Sequence, residues 1–210
     1  MDNKVQSVSN LVIRRLPRYY RFLVELSDKG VGKISSRELS SLMGLTASQI
    51  RQDLNYFGGF GQQGYGYNTN ELKAEIAKIL GYDNFKNTII IGAGNLGCAI
   101  AEGMHFEKRG FKLSGIFDVS KKIIGKKVAD IVISDIANLE SFCKTNKVDV
   151  AVICIPKDSV KEICRTLIDS GVKGIWNFSH CDISEFKDLI TIENVHLGDS
   201  LAALGYSLSE

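Results

Sequence analysis

The residues with the clearest capacity for chemistry form one glycine-rich turn, Gly92-Ala93-Gly94-Asn95-Leu96-Gly97. Branched apolar residues from Thr88 to Ile91 precede the turn, and Cys98 to Arg109 can continue from it as a helix. Gly92 permits a tight turn, Gly94 lets the backbone approach a pyrophosphate, and Gly97 lets the helix pack closely on the strand. The helix N-terminus then faces the anion. The pattern therefore predicts a dinucleotide-binding turn.

A carboxylate at the end of the next predicted strand supplies the second part of this pattern. The segment Phe111 to Asp118 reads as that strand, and Asp118 lies 118 − 97 = 21 residues after Gly97, close to the roughly 20 expected for a ribose-binding acid. A carboxylate there accepts hydrogen bonds from the adenosine ribose and repels a 2′-phosphate, which favours NAD(H) over NADP(H). The alternative is a glycine turn without a ligand, followed by an aspartate that only caps a loop.

Length and composition allow one large domain or two smaller ones. The chain has 210 residues, of which 44% are hydrophobic, so it can bury a sizeable core. No apolar run approaches the roughly 18 residues of a membrane span, and the polar start lacks a signal-peptide core. We therefore expect a cytoplasmic protein without a membrane partner. The five cysteines show no CxxC spacing, which indicates reduced thiols and no metal site, although a position in the first turn of a helix can lower the pKa of Cys98.

The charge is divided unevenly along the chain. Residues 1–80 carry 11 Lys and Arg against 7 Asp and Glu, or +4, whereas residues 81–210 carry 15 against 17, or −2. The basic part opens with a helical pattern in which we place Pro17 in the first turn, and its apolar residues are Leu11, Leu16, Tyr19, Tyr20, Leu23 and Leu26. This mild tilt in charge does not by itself indicate nucleic-acid binding.

Two short helices follow in the basic part. Ser35 and Glu38 have the spacing of a capping box, which opens a helix that carries an inner pair, Leu39 and Leu42, and ends at Gly44. After the turn at this glycine, a second helix is predicted over 47–57, with an N-cap at Thr46 and an inner stripe of Ile50, Leu54 and Phe57. Two short helices joined by a glycine-containing turn are typical of a helix-turn-helix.

The outward positions of the second helix carry residue types that can reach base edges and phosphates in a major groove. They are Ser48, Gln49, Arg51, Gln52 and Asn55. From Gly58 to Tyr67 glycine occurs at nearly every second position, which favours a β-hairpin and, after a helix-turn-helix, a wing. A further helix is predicted from Asn70 to Leu80 with Leu72, Ile76 and Ile79 inside, and the first domain ends near Gly81.

From Asn87 onward, predicted strands alternate with predicted helices. The strands after Asp118 are placed at 130–133, 148–155 and 174–178, and the helices between them at 136–145 and 158–170. Apolar strands separated by helices indicate an α/β domain with a parallel sheet covered on both faces. We expect the nucleotide crevice at the carboxyl ends of the strands that finish at Ile91, Ile155 and Phe178. The tail, 199–210, is a helix whose apolar residues need a partner on its own domain or on another subunit. The predicted domains are a winged helix over 1–82, a dinucleotide-binding domain over 83–197 and a C-terminal helix over 198–210.

Several runs together resemble one family. They are RRLPRYYRFL from Arg14, ISSRELSSLMGLTASQIRQDLNYFGGFGQQGYGY from Ile34, GAGNLG, and IWNFS from Ile175. In this order they are similar to the Rex family of bacterial redox-sensing transcriptional repressors, and the match covers nearly the whole chain. The resemblance implies a winged helix, a Rossmann domain, and a homodimer that exchanges its C-terminal helix. It also implies binding to a palindromic operator when NADH is low, and release from DNA when NADH binds.

The resemblance also implies roles for individual residues. For the dinucleotide it adds Ile155, Pro156, Asn177 and Phe178, near the nicotinamide half, to residues 92–97 and Asp118. The DNA-binding set gains Gln62 and Gln63 at the tip of the wing, together with Arg14, Ser36 and Thr46. Arg15 matches a family arginine that couples the two domains.

The chain departs from the family pattern at several of these positions. Members usually carry a basic pair where this chain has Gln62-Gln63, and often a lysine at the position of Gln52, so fewer phosphate contacts are expected unless Arg14, Arg18 and Arg37 compensate. Members also commonly carry a tyrosine and an aspartate where this chain has Gly103 and His196. We therefore expect an altered discrimination between NADH and NAD⁺, with pH dependence from the histidine, unless that histidine is only structural.

Two other classes of protein share parts of this pattern. An NAD-dependent dehydrogenase has the same glycine turn but also needs a substrate domain and a positioned acid or base. About 80 residues are instead used for the winged helix, and of the three histidines only His180 falls near the crevice, so we expect no enzymatic activity. A CoA-binding regulator has a related sheet and turn, but Asp118 argues against it because CoA carries a 3′-phosphate near the ribose.

Overall fold

The computed structural model describes residues 8–58, 61–62 and 65–209. The chain divides into two compact units, Met1–Asp83 and Asn84–Glu210. The helices are α1 Asn10–Asp28, α2 Ser36–Met43, α3 Ala47–Asn55, α4 Thr69–Ile79, α5 Asn95–Gly103, α6 Leu139–Asn146, α7 Val160–Asp169 and α8 Leu197–Ser207. The strands are β1 Lys33–Ile34, β2 Gly61–Gln62, β3 Gly66–Asn68, β4 Lys86–Ile91, β5 Phe111–Asp118, β6 Lys127–Val128, β7 Ile131–Asp135, β8 Val150–Ile153, β9 Gly174–Asn177 and β10 Thr191–Asn194.

The first helix runs straight through a proline. Ser9 caps α1, and Pro17 lies in the middle of the helix, so its predicted place in the first turn is wrong. A proline inside a helix removes one backbone hydrogen bond, and burial of an apolar stripe outweighs that loss here. The stripe contains Val12, Leu16, Tyr19 and Leu23, whereas Leu11, which we expected inside, is exposed.

The helix-turn-helix forms as the capping signals predict. The hydroxyl of Ser35 accepts from the backbone N–H of Glu38 at 3.1 Å, and the Glu38 carboxylate accepts from the N–H of Ser35 at 2.7 Å. Gly44 ends α2 in the left-handed conformation at φ 61°, which glycine adopts without strain. Inside the unit Met43 takes the place predicted for Leu42, which is exposed.

The wing is part of a small antiparallel sheet. Its strand order is β1-β3-β2, with β3 paired to both neighbours. The hairpin of β2 and β3 starts within the predicted segment and ends one residue beyond it, at Asn68. Strand β1 is only two residues long and leaves no periodic pattern. Helix α4 follows β3 directly and buries Leu72 and Ile76, while Ile79, the third predicted inner residue, is partly exposed.

The second unit is built on a seven-stranded sheet in the order β10-β9-β8-β4-β5-β7-β6. All neighbouring pairs are parallel except β6 with β7, which is an antiparallel edge pair. The chain therefore starts at the centre in β4, builds one half outward through β5 and β7, and returns to build the other half through β8, β9 and β10. This is the doubly wound Rossmann order, in which the crevice lies where the direction of winding reverses.

Helices cover both faces of this sheet. Side chains of β4 alternate, so that Ile89 and Ile91 pack with α6 and α7 while Ile90 packs with α5. The predicted strands and helices are present with shifted ends, and short 3-10 turns precede α6 and α7. Helix α5 is shorter than predicted: it ends at Gly103, and His105 adopts a left-handed φ of 48° that a helix cannot continue through.

The C-terminal helix α8 buries none of its residues. Large apolar side chains on and beside it are exposed: Leu197, Leu201, Leu204, Tyr206 and Leu208. Among the described residues, no helix combines the length and the apolar character that a membrane crossing needs. In the same ranges, no three His, Cys, Asp or Glu side chains cluster in a way that could hold a metal ion.

Candidate functional site

The glycine turn joins β4 to α5 at the centre of the sheet, and its three glycines meet different surroundings. Gly92 has φ +96°, and a Cβ there would lie 2.5 Å from the carbonyl oxygen of Cys154. A Cβ on Gly97 would overlap the carbonyl oxygen of Gly92. The fold therefore requires both of these glycines. A Cβ on Gly94 would meet no protein atom within 4 Å, and its φ of −73° is open to any residue. The space above Gly94 is free for a ligand.

The N-terminus of α5 opens onto this space. Its N-cap is Gly94, which has no side chain to bond the first N–H groups, so these groups and the positive end of the helix dipole can receive an anion. Residues Asn95 and Leu96 of the first turn are exposed, whereas Ala93 and Gly97 are buried. The arrangement fits the pyrophosphate of a dinucleotide.

Asp118 ends β5 beside the turn. Its Oδ2 accepts from the backbone N–H of Ala93 at 2.7 Å, and its Oδ1 accepts from the N–H of Ser120 at 2.8 Å. The carboxylate therefore ties the glycine turn to the end of the neighbouring strand. Each carboxylate oxygen can accept a second hydrogen bond, so ribose hydroxyls can still bind here.

The ends of β8 and β9 lie on the other side of β4 from Asp118. Ile155 lies over Gly92, and Pro156 after it is exposed. The rings of Trp176 and Phe178 pack edge to face at 4.6 Å, and both side chains are half-buried. These residues form an apolar wall beside the glycine turn.

Asn177 does not face this crevice as a free donor or acceptor. Its Nδ2 donates to the Cys181 carbonyl and to Asn194 Oδ1 at 3.2 and 2.9 Å, and its Oδ1 accepts from the N–H and hydroxyl of Ser179 at 3.0 and 2.6 Å. A side-chain amide has two donors and two lone pairs, so its capacity is used within the protein. The amide holds the loop after β9, and its contact with the cofactor stays a prediction.

Cys98 is not an activated thiol. Its Sγ donates to the carbonyl of Ala93 at 3.2 Å. Burial raises its pKa, and the negative charges of Glu102 and Asp118 raise it further. These effects outweigh the helix N-terminus, which can lower the pKa of such a thiol.

Helix α3 presents a polar face on the first unit. Ser48, Arg51, Gln52, Asn55 and Tyr56 line an open depression of about 490 Å³. Arg51 Nη1 donates to the hydroxyl of Ser36 at 3.1 Å, which joins the start of α2 to the same face. The Thr46 hydroxyl instead accepts from the N–H of Gln49 at 3.1 Å as the N-cap of α3.

The opposite face of α3 holds a buried ion pair. Arg15 on α1 binds both carboxylate oxygens of Asp53, at 2.6 and 2.7 Å. Gln49 Nε2 also donates to Asp53, at 2.9 Å. The amide of Gln49, which the sequence analysis places among the DNA contacts, bonds this carboxylate here, and its contact with DNA stays a prediction.

The chain is similar throughout to curated redox-sensing repressors. It is 55% identical to the redox-sensing transcriptional repressor Rex of Thermoanaerobacter pseudethanolicus over 208 residues, which cover 99% of this chain and 92% of the relative. The chain belongs to the Rex family. The Rex of Clostridium novyi is also 55% identical, over 98% of both chains. Two family models match parts of the chain, one described as CoA binding domain over 83–181 and one as putative DNA-binding protein N-terminus over 7–55.

Solved Rex structures share the fold. A structure of RSP in complex with beta-NAD⁺ and operator DNA matches at a TM-score of 0.90 and 55% identity, covering 96% of this chain and 92% of that one. A structure of RSP with beta-NADH matches at 0.89 and 51% identity, covering 97% and 95%. A further structure identifies RSP as a Rex-family repressor. The predicted combination of a DNA-binding domain with a Rossmann domain is confirmed.

Membership in Rex decides between the classes of function that the sequence left open. Rex is a redox-sensing transcriptional repressor, so the protein is not an enzyme and the dehydrogenase alternative is wrong. The range that matches the CoA-binding model, 83–181, contains the glycine turn and six of the seven strands of the large sheet.

The remaining predicted Rex residues take these places. Arg14 is exposed on α1, Gly103 is the exposed last residue of α5, and His196 is the exposed N-cap of α8. Gln62 lies in β2 with only its backbone described, and Gln63 lies outside the described residues.

Sequence reasoning missed Asp53, Tyr19 as its partner, and Tyr56. A signal for Asp53 was present, because it follows the inner residue Ile50 by three positions, and residues three apart share one face of a helix. Tyr56 follows the last residue of α3 and was hidden by the expectation that the helix continued to 57.

Proposed function

We propose that this chain binds a palindromic operator through the winged-helix unit and NAD(H) through the Rossmann unit, and that NADH releases the DNA. The observation that carries the proposal is the open glycine turn beside Asp118, in the same chain as a helix-turn-helix with an exposed polar α3 face. RSP, more than half identical, has been solved with operator DNA and beta-NAD⁺ and with beta-NADH. The protein would act in the cytoplasm.

The DNA contacts of this proposal come from one face of the first unit. Arg51, Gln52, Ser48 and Asn55 reach base edges and phosphates, and Tyr56 joins them at the end of the helix. Ser36 holds Arg51 and thereby orients it, while Arg14, Gln62 and Gln63 add contacts to the backbone. An arginine or glutamine on such a helix can bind guanine or adenine in the major groove through two hydrogen bonds.

The dinucleotide contacts come from the crevice of the second unit. The pyrophosphate lies over Gly94 against the N–H groups of Asn95 and Leu96, and the adenosine ribose binds Asp118. Repulsion between this carboxylate and a 2′-phosphate selects NAD(H) over NADP(H). The apolar wall of Ile155, Pro156 and Phe178 receives the nicotinamide half.

A second copy of the chain is the proposed partner of α8. The exposed leucines of this helix need a surface to bury them, and two winged helices related by two-fold symmetry suit a palindromic operator. NADH would favour one arrangement of the dimer in which the two α3 helices no longer match successive major grooves. Reciprocity then requires that operator DNA weaken NADH binding by the same factor.

The glutamines of the wing predict a weak salt dependence of operator binding. Adding a phosphate contact through Gln62→Lys is expected to steepen the slope of log affinity against log salt by about one. Fluorescence anisotropy titrations at several NaCl concentrations measure this slope. Thr145→Lys adds the same charge in the other unit as a control. The prediction fails if the wild-type slope already equals that of a relative with the basic pair.

Gly103 and His196 predict an unusual preference between NADH and NAD⁺. A Cβ on Gly103 would meet no atom within 4 Å, and the residue is exposed at the end of α5, so a side chain can be added here without a clash at its first carbon. The double variant Gly103→Tyr/His196→Asp restores the usual family residues, and we expect it to change the ratio of NADH to NAD⁺ affinity severalfold, whereas Gly103→Ala leaves it unchanged. Calorimetric titration with each nucleotide measures the ratio. An identical ratio in the wild type, the double variant and an ordinary member would contradict this.

Selection of DNA from a randomised pool tests the proposal as a whole. The full chain is expected to enrich a palindrome whose half-sites lie about one helical turn apart, and NADH, but not CoA, is expected to release it. Failure to enrich any palindrome would contradict the DNA-binding part. Release by CoA would contradict the assignment of the nucleotide.

A further inference from the structure

A fully buried carboxylate lies on the helix that we assign to operator reading. Asp53 is 0% exposed and accepts four hydrogen bonds. Two come from Arg15, one comes from the Tyr19 hydroxyl at 3.0 Å, and one comes from Gln49. Both carboxylate oxygens are satisfied, so no part of this side chain is available to DNA.

The bonds to Asp53 join α3 to α1 with a defined direction. Arg15 and Tyr19 are one helical turn apart on the same face of α1, and both donate hydrogen bonds to the carboxylate. Leucine and isoleucine side chains of both helices belong to one buried apolar cluster, but apolar contacts are not directional. A bidentate pair between guanidinium and carboxylate requires one geometry. The pair therefore fixes the rotation of α3 about its own axis.

Gln49 belongs to this cluster and not to the outer face of α3. Its backbone N–H bonds the Thr46 hydroxyl, its side chain bonds Asp53, and it is half-buried. The residues that line the open depression do not include it. Helix α3 thus has an inner polar group, Gln49 and Asp53, in addition to the outer group that faces solvent.

The cluster keeps fixed protonation states near neutral pH. Burial opposes ionisation of Asp53, but its hydrogen bonds from Arg15, Gln49 and Tyr19 outweigh burial, and its pKa lies below the usual value. Burial and the nearby carboxylate raise the pKa of the Tyr19 hydroxyl, which remains a donor. The Arg15 pKa is also raised, chiefly by its bond to Asp53.

We propose that Asp53 and Gln49 are positioning residues for operator recognition, which set the rotation of α3 and hence the aim of Arg51, Gln52 and Asn55 without touching DNA. This inference rests on the proposed function. It assigns sequence specificity partly to residues that contact no base. Their loss should affect specific binding, which needs precise aim, more than binding to arbitrary DNA, which needs only charge.

Asp53→Asn tests the inference, with Arg51→Ala as a control that removes an outer contact. The probes are a palindromic duplex selected by the wild-type chain and a scrambled duplex of the same length and composition. For Asp53→Asn we expect about tenfold weaker binding to the selected duplex, the size of one lost charge-assisted hydrogen bond, with scrambled binding and the salt slope unchanged. Arg51→Ala should change binding to the selected duplex and, if it contacts a phosphate, lower the slope by about one.

Gln49→Ala separates positioning from base reading. Binding is measured to the selected duplex and to each of its single base-pair variants. A positioning residue is expected to lower affinity for all specific duplexes by a similar factor and to leave their ranking unchanged. Relaxed discrimination at one base pair would show that Gln49 reads that base, and would overturn the inference for this residue.

The outcomes distinguish this inference from the proposed function. If the wild-type chain selects no duplex, the proposed function fails. If the wild type binds but Asp53→Asn keeps its operator affinity or changes its salt slope, only the positioning role fails. If circular dichroism shows Asp53→Asn to be unfolded, Tyr19→Phe removes one of the four bonds in a folded protein. Unchanged operator affinity in both Tyr19→Phe and Gln49→Ala would then overturn the inference.

Discussion

Replacing Gly94 by alanine is expected to weaken NADH binding at least about 100-fold, or about 2.7 kcal/mol, while the protein remains folded. The added methyl group meets no protein atom within 4 Å, and the backbone angles at this position suit alanine. It would, however, occupy the space in which a pyrophosphate must approach the N–H groups of α5. Calorimetric or fluorescence titration with NADH measures the affinity.

Gly97→Ala is the matched control for this prediction. Its Cβ would overlap the Gly92 carbonyl oxygen, so the turn must open and the unit is expected to lose stability. The two variants thus separate a glycine that a ligand requires from one that the fold requires. Gly94→Ala should melt close to the wild type, whereas Gly97→Ala should melt lower. NADH affinity in Gly94→Ala equal to that of the wild type would contradict the placement of the pyrophosphate.

Replacing Arg15 by methionine is expected to destabilise the first unit by about 3–5 kcal/mol. The substitution leaves the charge of Asp53, whose side chain is 0% exposed, without its cation. The Arg15 side chain is 25% exposed, so water screens the pair only in part. Chemical denaturation followed by circular dichroism measures the loss. Arg18→Met removes an exposed arginine from the same helix and should change stability by less than about 0.5 kcal/mol.

The pH dependence of folding stability should change sign in Arg15→Met. In the wild type the pKa of Asp53 is lowered, so its contribution to stability is present above the unfolded value and is lost as pH falls below it. Without Arg15, burial is expected to raise the pKa above the unfolded value, so protonation of the folded state makes the variant more stable as pH falls through that range. Equal stability of the wild type and Arg15→Met at neutral pH would contradict the role of this pair.

The sequence was sufficient for the parts of the fold that local signals determine. The glycine turn, the apolar strands beside it and the capped helices follow from local chemistry, since each signal lies within a few residues of its effect. Strands β1 and β6 have two residues each, too few for an alternating pattern, and form only because a neighbouring strand pairs with them. Pro17 was misplaced because burial on both sides of it keeps α1 continuous.

In the candidate sites, too, some features follow from local sequence and others depend on the folded structure. Residue type and spacing were enough to locate the turn, Asp118 and the exposed face of α3. They could not show which protein groups the side chains of Asn177, Gln49 and Cys98 contact, because those contacts depend on the folded structure. Asn177 and Gln49 have the residue types of ligand contacts, but each amide has a partner within the protein. Asn177 bonds Asn194, 17 residues away, and Gln49 bonds Asp53, whose place in the core depends on the distant Arg15. For Cys98, burial and nearby carboxylates outweigh the helix N-terminus.

The central claim is that one chain couples operator binding to NADH. Its most direct test is the anisotropy of a labelled palindromic duplex, selected by this chain, titrated with the protein at fixed salt and then with NADH or NAD⁺. We expect the complex to form without NADH, NADH to lower the anisotropy to that of free duplex, and NAD⁺ at the same concentration to lower it less. A complex that NADH leaves intact, at concentrations where binding of NADH is demonstrated, would contradict it.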